Sequence, residues 1–310
     1  MPAKSSPRKS TRRRKAIAAS ALPPTSPEAF AMEDVEEMQN RHEPLRKKYM
    51  RYVIERHEGP PMLAHPFCRQ LAFDLDRCAL IHREIDELSA MAAEFLQQGQ
   101  WEDFIVCHTP PHRIAAFRKL LRTHAAKLSD EEYWRNLRMI YEEAANPSAH
   151  WVTFRQLFRS RRKKREHLMN PRERDLLRRL PDSLTVYRGY ARFGGEGMSW
   201  TLDRRVADWF AHRDSGRGEP RVITGEVRRD DVLALITTTN EAELLVPDGS
   251  VTQQVHGPAV EDDPKCSAAE YMQPPFDIEA LCVQPASPRQ ARRYPARRRG
   301  ASARAKPRPR

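Results

Sequence analysis

Three short motifs in the C-terminal half of the chain carry side chains that can act on a substrate. They are Tyr187-Arg188-Gly189, Ser199-Trp200-Thr201 and Glu241-Ala242-Glu243, in that order. A guanidinium binds anions in a forked geometry, a hydroxyl can orient a carboxylate, and two carboxylates can stabilise positive charge and accept a proton. Each motif alone is a weak signal, because a chain with 42 acidic residues repeats the acid-x-acid spacing by chance. Their joint occurrence is the informative observation.

Glu241 and Glu243 enter a predicted strand, and this local structure makes their two-residue spacing informative. Along a strand, a two-residue step returns to the same face about 6.5–7 Å away, so both carboxylates can meet one small substrate. The similar pair Asp74 and Asp76 lies on a predicted helix, where two residues turn about 200° and separate the side chains. The pattern therefore singles out Glu241 and Glu243 as a candidate catalytic pair.

The order, spacing and local structure of the three motifs resemble the arginine–serine–glutamate clade of mono-ADP-ribosyltransferases, toxin-like enzymes of bacteria and phages. The resemblance covers roughly residues 184–256. In that family an arginine on an early strand binds the NAD phosphates, a Ser-x-Ser/Thr strand shapes the nicotinamide pocket, and a Glu-x-Glu or Gln-x-Glu turn closes the site. The resemblance implies a split β-sandwich fold, with NAD as a substrate and no metal.

The resemblance assigns five residues to NAD binding. Arg188, followed by Gly189, takes the diphosphate, Ser199 hydrogen-bonds the catalytic glutamate, and Thr201 completes the serine motif. Phe210, on the predicted helix that follows, is similar to the aromatic residue beside the family's pocket. Plainer roles stay open for these residues. Arg188 also fits an ion pair at a sheet edge, and Phe210 also fits a core position. Ser199 and Thr201 also fit ordinary strand or cap positions.

The same resemblance gives the two glutamates different catalytic roles. Glu243 faces the nicotinamide ribose, where a carboxylate stabilises the oxocarbenium-like transition state. Glu241 engages the acceptor, and a glutamate there favours an arginine side chain of a protein, whose guanidinium must lose a proton. An alternative within the same chemistry is an NAD glycohydrolase, in which water replaces the arginine.

Two periodicities divide the body of the chain. Apolar residues at three- and four-residue spacing predict a helical region over 30–180, and short β-branched runs predict a strand-rich catalytic core over 181–285. The predicted helices are 30–58, 67–98, 112–128, 130–146, 149–168 and 171–180, with one more at 203–212. The predicted strands are Leu184–Tyr187, Val222–Val227, Val232–Ile236, Leu244–Val246, Val251–Val255 and Leu281–Val283. Helices first and strands afterwards indicate an α+β fold, with a helical lobe preceding the strands.

Two helix starts can be read from their capping residues. Ser129 with Glu132 has the spacing of a capping box. Asn170, a proline and Glu173 provide a cap, a first-turn proline and a glutamate at the third helical position. Both patterns predict helices that begin directly after the capping residue.

Basic residues concentrate at the two ends of the chain. The formal net charge is +12, and residues 1–27 and 289–310 hold seven and ten Lys/Arg without any acidic residue, so the body between them has 37 basic and 42 acidic residues. Both ends are rich in Pro, Ser and Ala, so we expect disordered tails over 1–29 and 286–310. Because basic tails bind polyanions through phosphate contacts, a second function stays open: a non-catalytic nucleic-acid or ribosome-binding protein on a relic of the same fold.

The composition of the chain and the spacing of its cysteines and histidines argue against several other classes of protein. No run of 18 or more apolar residues predicts a membrane span, and the basic N-terminus has only a diluted apolar stretch at 16–22, which argues against a secretory signal. The five cysteines are scattered and never spaced CxxC, which favours a reducing cytoplasm over a disulfide framework. His65, Cys68, Cys78 and His82 match no known ligand spacing, so we expect no metal site.

Overall fold

The computed structural model of the chain describes residues in six stretches and divides them into two compact units. The stretches are 32–68, 73–144, 147–191, 196–213, 218–260 and 275–282. The first unit comprises the residues up to Gln98 together with Cys107–Thr109, and the second comprises Gly99–Val106 and the residues from Pro110 onward. The predicted tails, 1–29 and 286–310, lie outside the described residues.

The first unit is less helical than the sequence pattern predicts. Its elements are α1 (Met32–Asn40), a 3-10 helix (Lys47–Tyr52), β1 (Val53–Ile54), β2 (Met62–Leu63) and α2 (Ala79–Gln98). The predicted helix 30–58 is therefore wrong beyond Asn40, because Pro44 lacks an N–H and disfavours a helical residue before it. The predicted helix 67–98 begins only at Ala79.

Two of the residues considered as metal ligands have other partners within this unit. His82 Nδ1 lies 2.6 Å from Glu43 Oε1, and His82 Nε2 accepts a hydrogen bond from the N–H of Arg46 at 3.1 Å. The thiol of Cys78 donates to the carbonyl of Asp74 at 3.1 Å, and burial raises the pKa of this thiol to about 11. These contacts give His82 and Cys78 structural roles in the first unit.

In the part of the second unit that the structure describes, five helices precede the large sheet. They are α3 (Trp101–Val106), α4 (Pro110–His124), α5 (Asp130–Glu142), α6 (Trp151–Phe158) and α7 (Pro171–Arg179), with 3-10 turns at Pro147–His150 and Arg165–Leu168. Both capping predictions are confirmed: Ser129 accepts from the N–H of Glu132 at 3.2 Å, and Asn170 accepts from the N–H of Glu173 at 2.9 Å. The sequence pattern missed α3. No helix in the described stretches combines the length and apolar character needed to cross a bilayer.

The described residues of the second unit also form a six-stranded antiparallel sheet and two further helices. The elements are β3 (Ser183–Tyr190), β4 (Ser199–Thr201), α8 (Arg204–Arg213), β5 (Arg221–Arg228), a 3-10 turn (Arg229–Asp231), β6 (Ala234–Ile236), β7 (Glu243–Leu245), β8 (Thr252–Pro258) and α9 (Ile278–Leu281). Across the sheet the strands run β6-β7-β4-β3-β5-β8, and each is antiparallel to its neighbours. The fold is therefore α+β, as the sequence pattern predicts.

The C-terminal predicted strand, Leu281–Val283, is wrong. Leu281 ends the short helix α9, and Val283 lies outside the described residues. The side chain of Asp277 accepts a hydrogen bond from the N–H of Ala280 at 3.1 Å, which caps the helix at its start. A local capping residue thus outweighs the apolar run.

The core of the sheet lies between its strands and the helices that pack on it. Apolar side chains of α7, β3, β4, β6 and β7 form one buried cluster that includes Leu176, Val186, Trp200 and Leu244. On β3, the backbone of α8 approaches so closely that a Cβ on Gly189 would lie 1.8 Å from the carbonyl oxygen of Ala207. Only a residue without a side chain permits this contact.

Candidate active site

A cavity of about 330 Å³ opens at the middle of the sheet in the second unit. Its floor is one row of paired residues that crosses four strands: Tyr187 pairs with Thr201, Thr201 with Glu243, and Glu243 with Ile236. Directly paired residues of antiparallel strands point to the same face of a sheet, so the row forms a continuous surface. Arg188, Ser199 and Glu241 also line this cavity, although they are far apart in the chain.

Glu243 is the most enclosed acidic residue of the cavity. Its residue surface is only 8 % exposed, and its Oε1 accepts a hydrogen bond from the hydroxyl of Tyr141 at 2.6 Å. Burial raises the pKa of Glu243, while hydrogen bonds from Ser199 and Tyr141 and the charge of Arg188 act in the opposite direction. The carboxylate therefore has donors and a cation placed to hold its negative charge.

Arg188 is fixed by backbone carbonyl groups on the neighbouring segment. Its Nη1 donates to the carbonyl of Ser199 at 2.6 Å, and its Nη2 donates to the carbonyl of Glu196 at 3.0 Å. Gly197 lies against the guanidinium, since a Cβ there would be 2.5 Å from Nη2. Burial lowers the pKa of Arg188, and the nearby Tyr141 and Glu243 raise it. The cavity thus contains a permanent positive charge in a defined place.

The two hydroxyl residues of β4, Ser199 and Thr201, contact different partners. A hydrogen bond from the Ser199 side chain lowers the pKa of Glu243. The Thr201 hydroxyl instead donates to the carbonyl of Glu241 at 2.6 Å and accepts from the N–H of Asp203 at 3.0 Å. Thr201 is buried and anchors the turn that carries Glu241. Thr201 therefore supports the site indirectly, because it holds the backbone of Glu241 in place.

The Glu241 carboxyl reaches the cavity by a turn, which corrects the strand argument. Only Glu243 belongs to β7, whereas Asn240 and Ala242 have positive φ angles of 59° and 46°. The two glutamates are therefore not related by a two-residue strand step, because the backbone turns between them. Both still line the cavity. Burial and the negative charge of Glu243 raise the pKa of Glu241 to about 7.

Helix α8 forms the remaining wall of the cavity. Gly189 lines the cavity, and because it has no side chain the α8 backbone can approach β3 closely. Phe210 is half-buried and also lines it. The guanidinium of Arg213 lies 5.0 Å from the centre of the Phe210 ring and 5.6 Å from that of Trp209. Arg213 borders the cavity and adds a second cation that the motif analysis did not identify.

Tyr141 is a second functional candidate, after Arg213, that the sequence analysis missed. It comes from α5 in the predicted helical region and bonds Glu243 across 102 residues of sequence. Its helical spacing with Leu137 and Ile140 makes it look like an ordinary core residue. No local pattern around Tyr141 marks its hydroxyl as a donor to a distant carboxylate.

A buried ion pair joins α5 to the loop that leads to Glu241. Arg138 donates to both carboxylate oxygens of Glu173, at 2.7 and 3.0 Å, and Glu173 is fully buried. The same carboxylate accepts from the N–H of Thr237 at 2.9 Å, and Thr238 hydrogen-bonds Glu142. The capping residue Glu173 therefore also ties α5 and α7 to the loop between β6 and β7.

The arrangement suits an anionic substrate that develops positive charge during reaction. Two arginines can bind an anion, and two carboxylates with different surroundings can stabilise a cation and accept a proton. Within the described stretches, no group of three or more His, Cys, Asp or Glu residues is placed to hold a metal ion. Comparison of the chain with protein-family models, curated proteins and solved structures gives no match.

Proposed function

We propose that the chain is an NAD-dependent mono-ADP-ribosyltransferase that modifies arginine side chains of a protein acceptor and releases nicotinamide. The observation that carries the proposal is the enclosed Glu243 carboxylate, which shares one cavity with Ser199, Arg188 and a second carboxylate, Glu241. The proposal includes the finer fold assignment, an ADP-ribosyltransferase-like split β-sandwich. The α+β architecture and the antiparallel sheet are compatible with it.

The charges of the cavity fit the two halves of NAD. Arg188 and Arg213 offer positive charge to the diphosphate, and Phe210 offers an apolar face to the nicotinamide ring. The cavity volume, about 330 Å³, falls at the lower end of the range for small-molecule sites, about 300–1,000 Å³. It is of a size to enclose the nicotinamide riboside half, where the bond breaks.

Glu243 supplies the electrostatic part of the reaction. The glycosidic bond between C1′ of the ribose and the nicotinamide nitrogen breaks, and nicotinamide leaves as a neutral molecule with the bonding electron pair. The ribose then carries oxocarbenium character, which a nearby carboxylate stabilises. Because Glu243 receives hydrogen bonds from Ser199 and Tyr141, its charge is already oriented before the substrate arrives.

Glu241 supplies the acid–base part. A guanidinium nitrogen of the acceptor bonds to C1′ and must lose a proton, which an ionised carboxylate can accept. Burial and the neighbouring Glu243 raise the pKa of Glu241 to about 7, so its carboxylate forms as the pH rises through neutrality. Transfer to arginine should therefore increase between about pH 6 and pH 8.

The test is to separate transfer from NAD cleavage with the variant Glu241→Gln. We expect it to lose transfer of labelled ADP-ribose to a guanidine acceptor by about 100-fold, while nicotinamide release into water persists. The rise in transfer near pH 7 should also disappear, because glutamine does not titrate. Loss of transfer and nicotinamide release in equal measure would contradict the role given to Glu241.

Two alternatives make different predictions in the same assay. An NAD glycohydrolase releases nicotinamide without labelling any acceptor, and Glu241→Gln then leaves its rate unchanged. A non-catalytic nucleic-acid or ribosome-binding protein releases none, and binds polyanions through residues 1–27 and 289–310 with a steep dependence on salt. The distribution of basic residues is the observation that favours the latter.

A further inference from the structure

The hydroxyl of Tyr141 makes the shortest described contact with the Glu243 carboxylate. The distance between Tyr141 Oη and Glu243 Oε1 is 2.6 Å, and both residues are less than a tenth exposed. Burial and the neighbouring carboxylate raise the pKa of Tyr141 well above its ordinary value. The phenol consequently keeps its proton and acts as the donor, and the negative charge stays on Glu243.

The Tyr141 ring packs against two aromatic rings of α6. It meets the rings of Phe154 and Phe158 edge-on, with centroid distances of 5.2 and 5.5 Å. Both phenylalanines are buried on α6. A ring fixed in this way presents its hydroxyl in one direction only, so the hydrogen bond is built into the packing of α5 against α6.

The backbone position of Tyr141 is fixed as well. Arg138 precedes it by one helical turn on α5 and is locked to the buried Glu173 at 2.7 Å. Glu173 in turn holds the N–H of Thr237, at the start of the loop that leads to Glu241. The helix that carries Tyr141 is therefore connected to the loop that leads to Glu241 through the Arg138–Glu173 ion pair.

We propose that Tyr141 is a positioning residue for the reaction, which holds the Glu243 carboxylate in one rotation and in its ionised form while NAD is bound. This inference rests on the proposed function. A carboxylate with one oxygen tied to a rigid donor cannot turn about its terminal bond. Its other oxygen then has a defined direction for contact with the substrate, and an oriented carboxylate lowers the barrier without reorganising during reaction.

Several groups from different elements act on the charge of Glu243. Ser199 on β4 and Tyr141 on α5 donate hydrogen bonds, while Arg188 on β3 and Arg138 on α5 contribute positive charge. Glu241, on the turn before β7, contributes negative charge, as its own raised pKa reflects. Removing the Tyr141 hydroxyl takes away one of the groups that lower the pKa of Glu243. The pKa should then rise, and the ionised carboxylate should be lost at a higher pH.

The experiment compares Tyr141→Phe with the matched variant Tyr133→Phe. Tyr133 lies on the same helix, is also buried and donates its hydroxyl to the carbonyl of Leu157 at 2.8 Å. For Tyr141→Phe we expect nicotinamide release to fall roughly tenfold, its acidic limb to move up by about one pH unit, and KM for NAD to change little. Tyr133→Phe should lose stability without moving the pH profile.

The possible outcomes separate the inference from the proposed function. If wild type and Tyr141→Phe have superimposable pH profiles, or if Tyr133→Phe shifts the profile equally, the positioning role of Tyr141 is overturned and the enzyme activity stands. If wild type releases no nicotinamide, the proposed function fails. In that case the Tyr141–Glu243 hydrogen bond is tested by NMR titration of the Glu243 carboxyl carbon. If the pKa of Glu243 is the same in Tyr141→Phe as in wild type, the positioning role of Tyr141 is overturned as well.

Discussion

At the scale of the residue, the site is a pair of carboxylates in contrasting surroundings. Glu243 is buried under two hydrogen-bond donors and beside Arg188, so burial raises its pKa and these groups oppose the rise. Glu241 lies on a turn, and burial together with the charge of Glu243 raises its pKa to about 7. A carboxylate held by donors and a cation can serve as a fixed charge, and a neighbouring carboxylate that titrates near neutrality can serve as a base in the same reaction. This contrast is the main support for assigning the two glutamates different roles.

Arg213 gives the first test at this scale. It borders the cavity at the end of α8, and its guanidinium rests on the Phe210 ring. A charge-assisted contact with the NAD diphosphate contributes about 1.5–3 kcal/mol, so Arg213→Ala should raise KM for NAD by about 10- to 100-fold with a smaller change in kcat.

The control for Arg213→Ala lies on the same helix. Arg204 begins α8 and pairs with Asp208 at 3.6 Å, and it does not line the cavity. Arg204→Ala should leave KM for NAD unchanged in initial-rate measurements. Equal KM values for Arg213→Ala and wild type would remove the phosphate role of Arg213.

The types and order of the motif residues were enough to predict the acidic pair, Glu241 and Glu243, but not all of the residues that contact it. Arg188, Ser199 and Glu243 carry motifs that can be read from the chain, and the structure brings them to one cavity. Tyr141 and Arg213 have no such signal, because a tyrosine on an apolar helix face and an arginine at a helix end are common in any fold. Their roles depend on contacts between elements, which local sequence does not encode.

At the scale of the element, the site depends on two features of the sheet. The row from Tyr187 to Ile236 crosses β3, β4, β7 and β6 in register and places Glu243 on the same face as its neighbours. Helix α8 rests directly on β3 at Gly189. A shift of α8 would move Phe210 and Arg213 away from the row, so the cavity depends on this close approach.

Gly189→Ala tests the packing of α8 on β3. A Cβ would overlap the Ala207 carbonyl at 1.8 Å, and backbone cannot yield as a flexible side chain can. We expect the free energy of unfolding to fall by at least about 2 kcal/mol, measured by denaturant titration. Gly257 on β8 has open space at its Cβ position, so Gly257→Ala is the matched control and should be tolerated. Similar stabilities for the two variants would show that the close contact is not required.

An element could be predicted from the sequence when the residues that decide its start or end lie close together in the chain. The helices after Ser129 and Asn170 begin as predicted, because capping is decided within four residues. The helix expected over 30–58 ends at Asn40, and Leu281 is helical, since a proline and a capping aspartate override the apolar spacing. The strand pattern did not predict the turn at Glu241, because positive φ at Ala242 is uncommon for a residue with a side chain; the family resemblance did imply a turn there.

At the scale of the whole molecule, the described residues form two units, and the candidate site belongs to the second. Its parts come from α5, from the sheet and from α8, so the helices that precede the sheet are components of the site. The body of the chain has more acidic than basic residues, whereas residues 1–27 and 289–310 are strongly basic. The proposed chemistry on NAD and the alternative function, polyanion binding, therefore concern different parts of the same chain.

Nicotinamide release from NAD is the most direct measurement of the central claim, that Glu243 drives cleavage of the bond to nicotinamide. The full chain, Glu243→Gln and the control Glu226→Gln are compared by chromatography at pH 7.5. Glu226 lies on β5 and does not line the cavity. Wild type and Glu226→Gln should release nicotinamide at the same rate, and Glu243→Gln should be slower by about 100-fold or more. An equal rate in Glu243→Gln, or no release by wild type, would contradict the account.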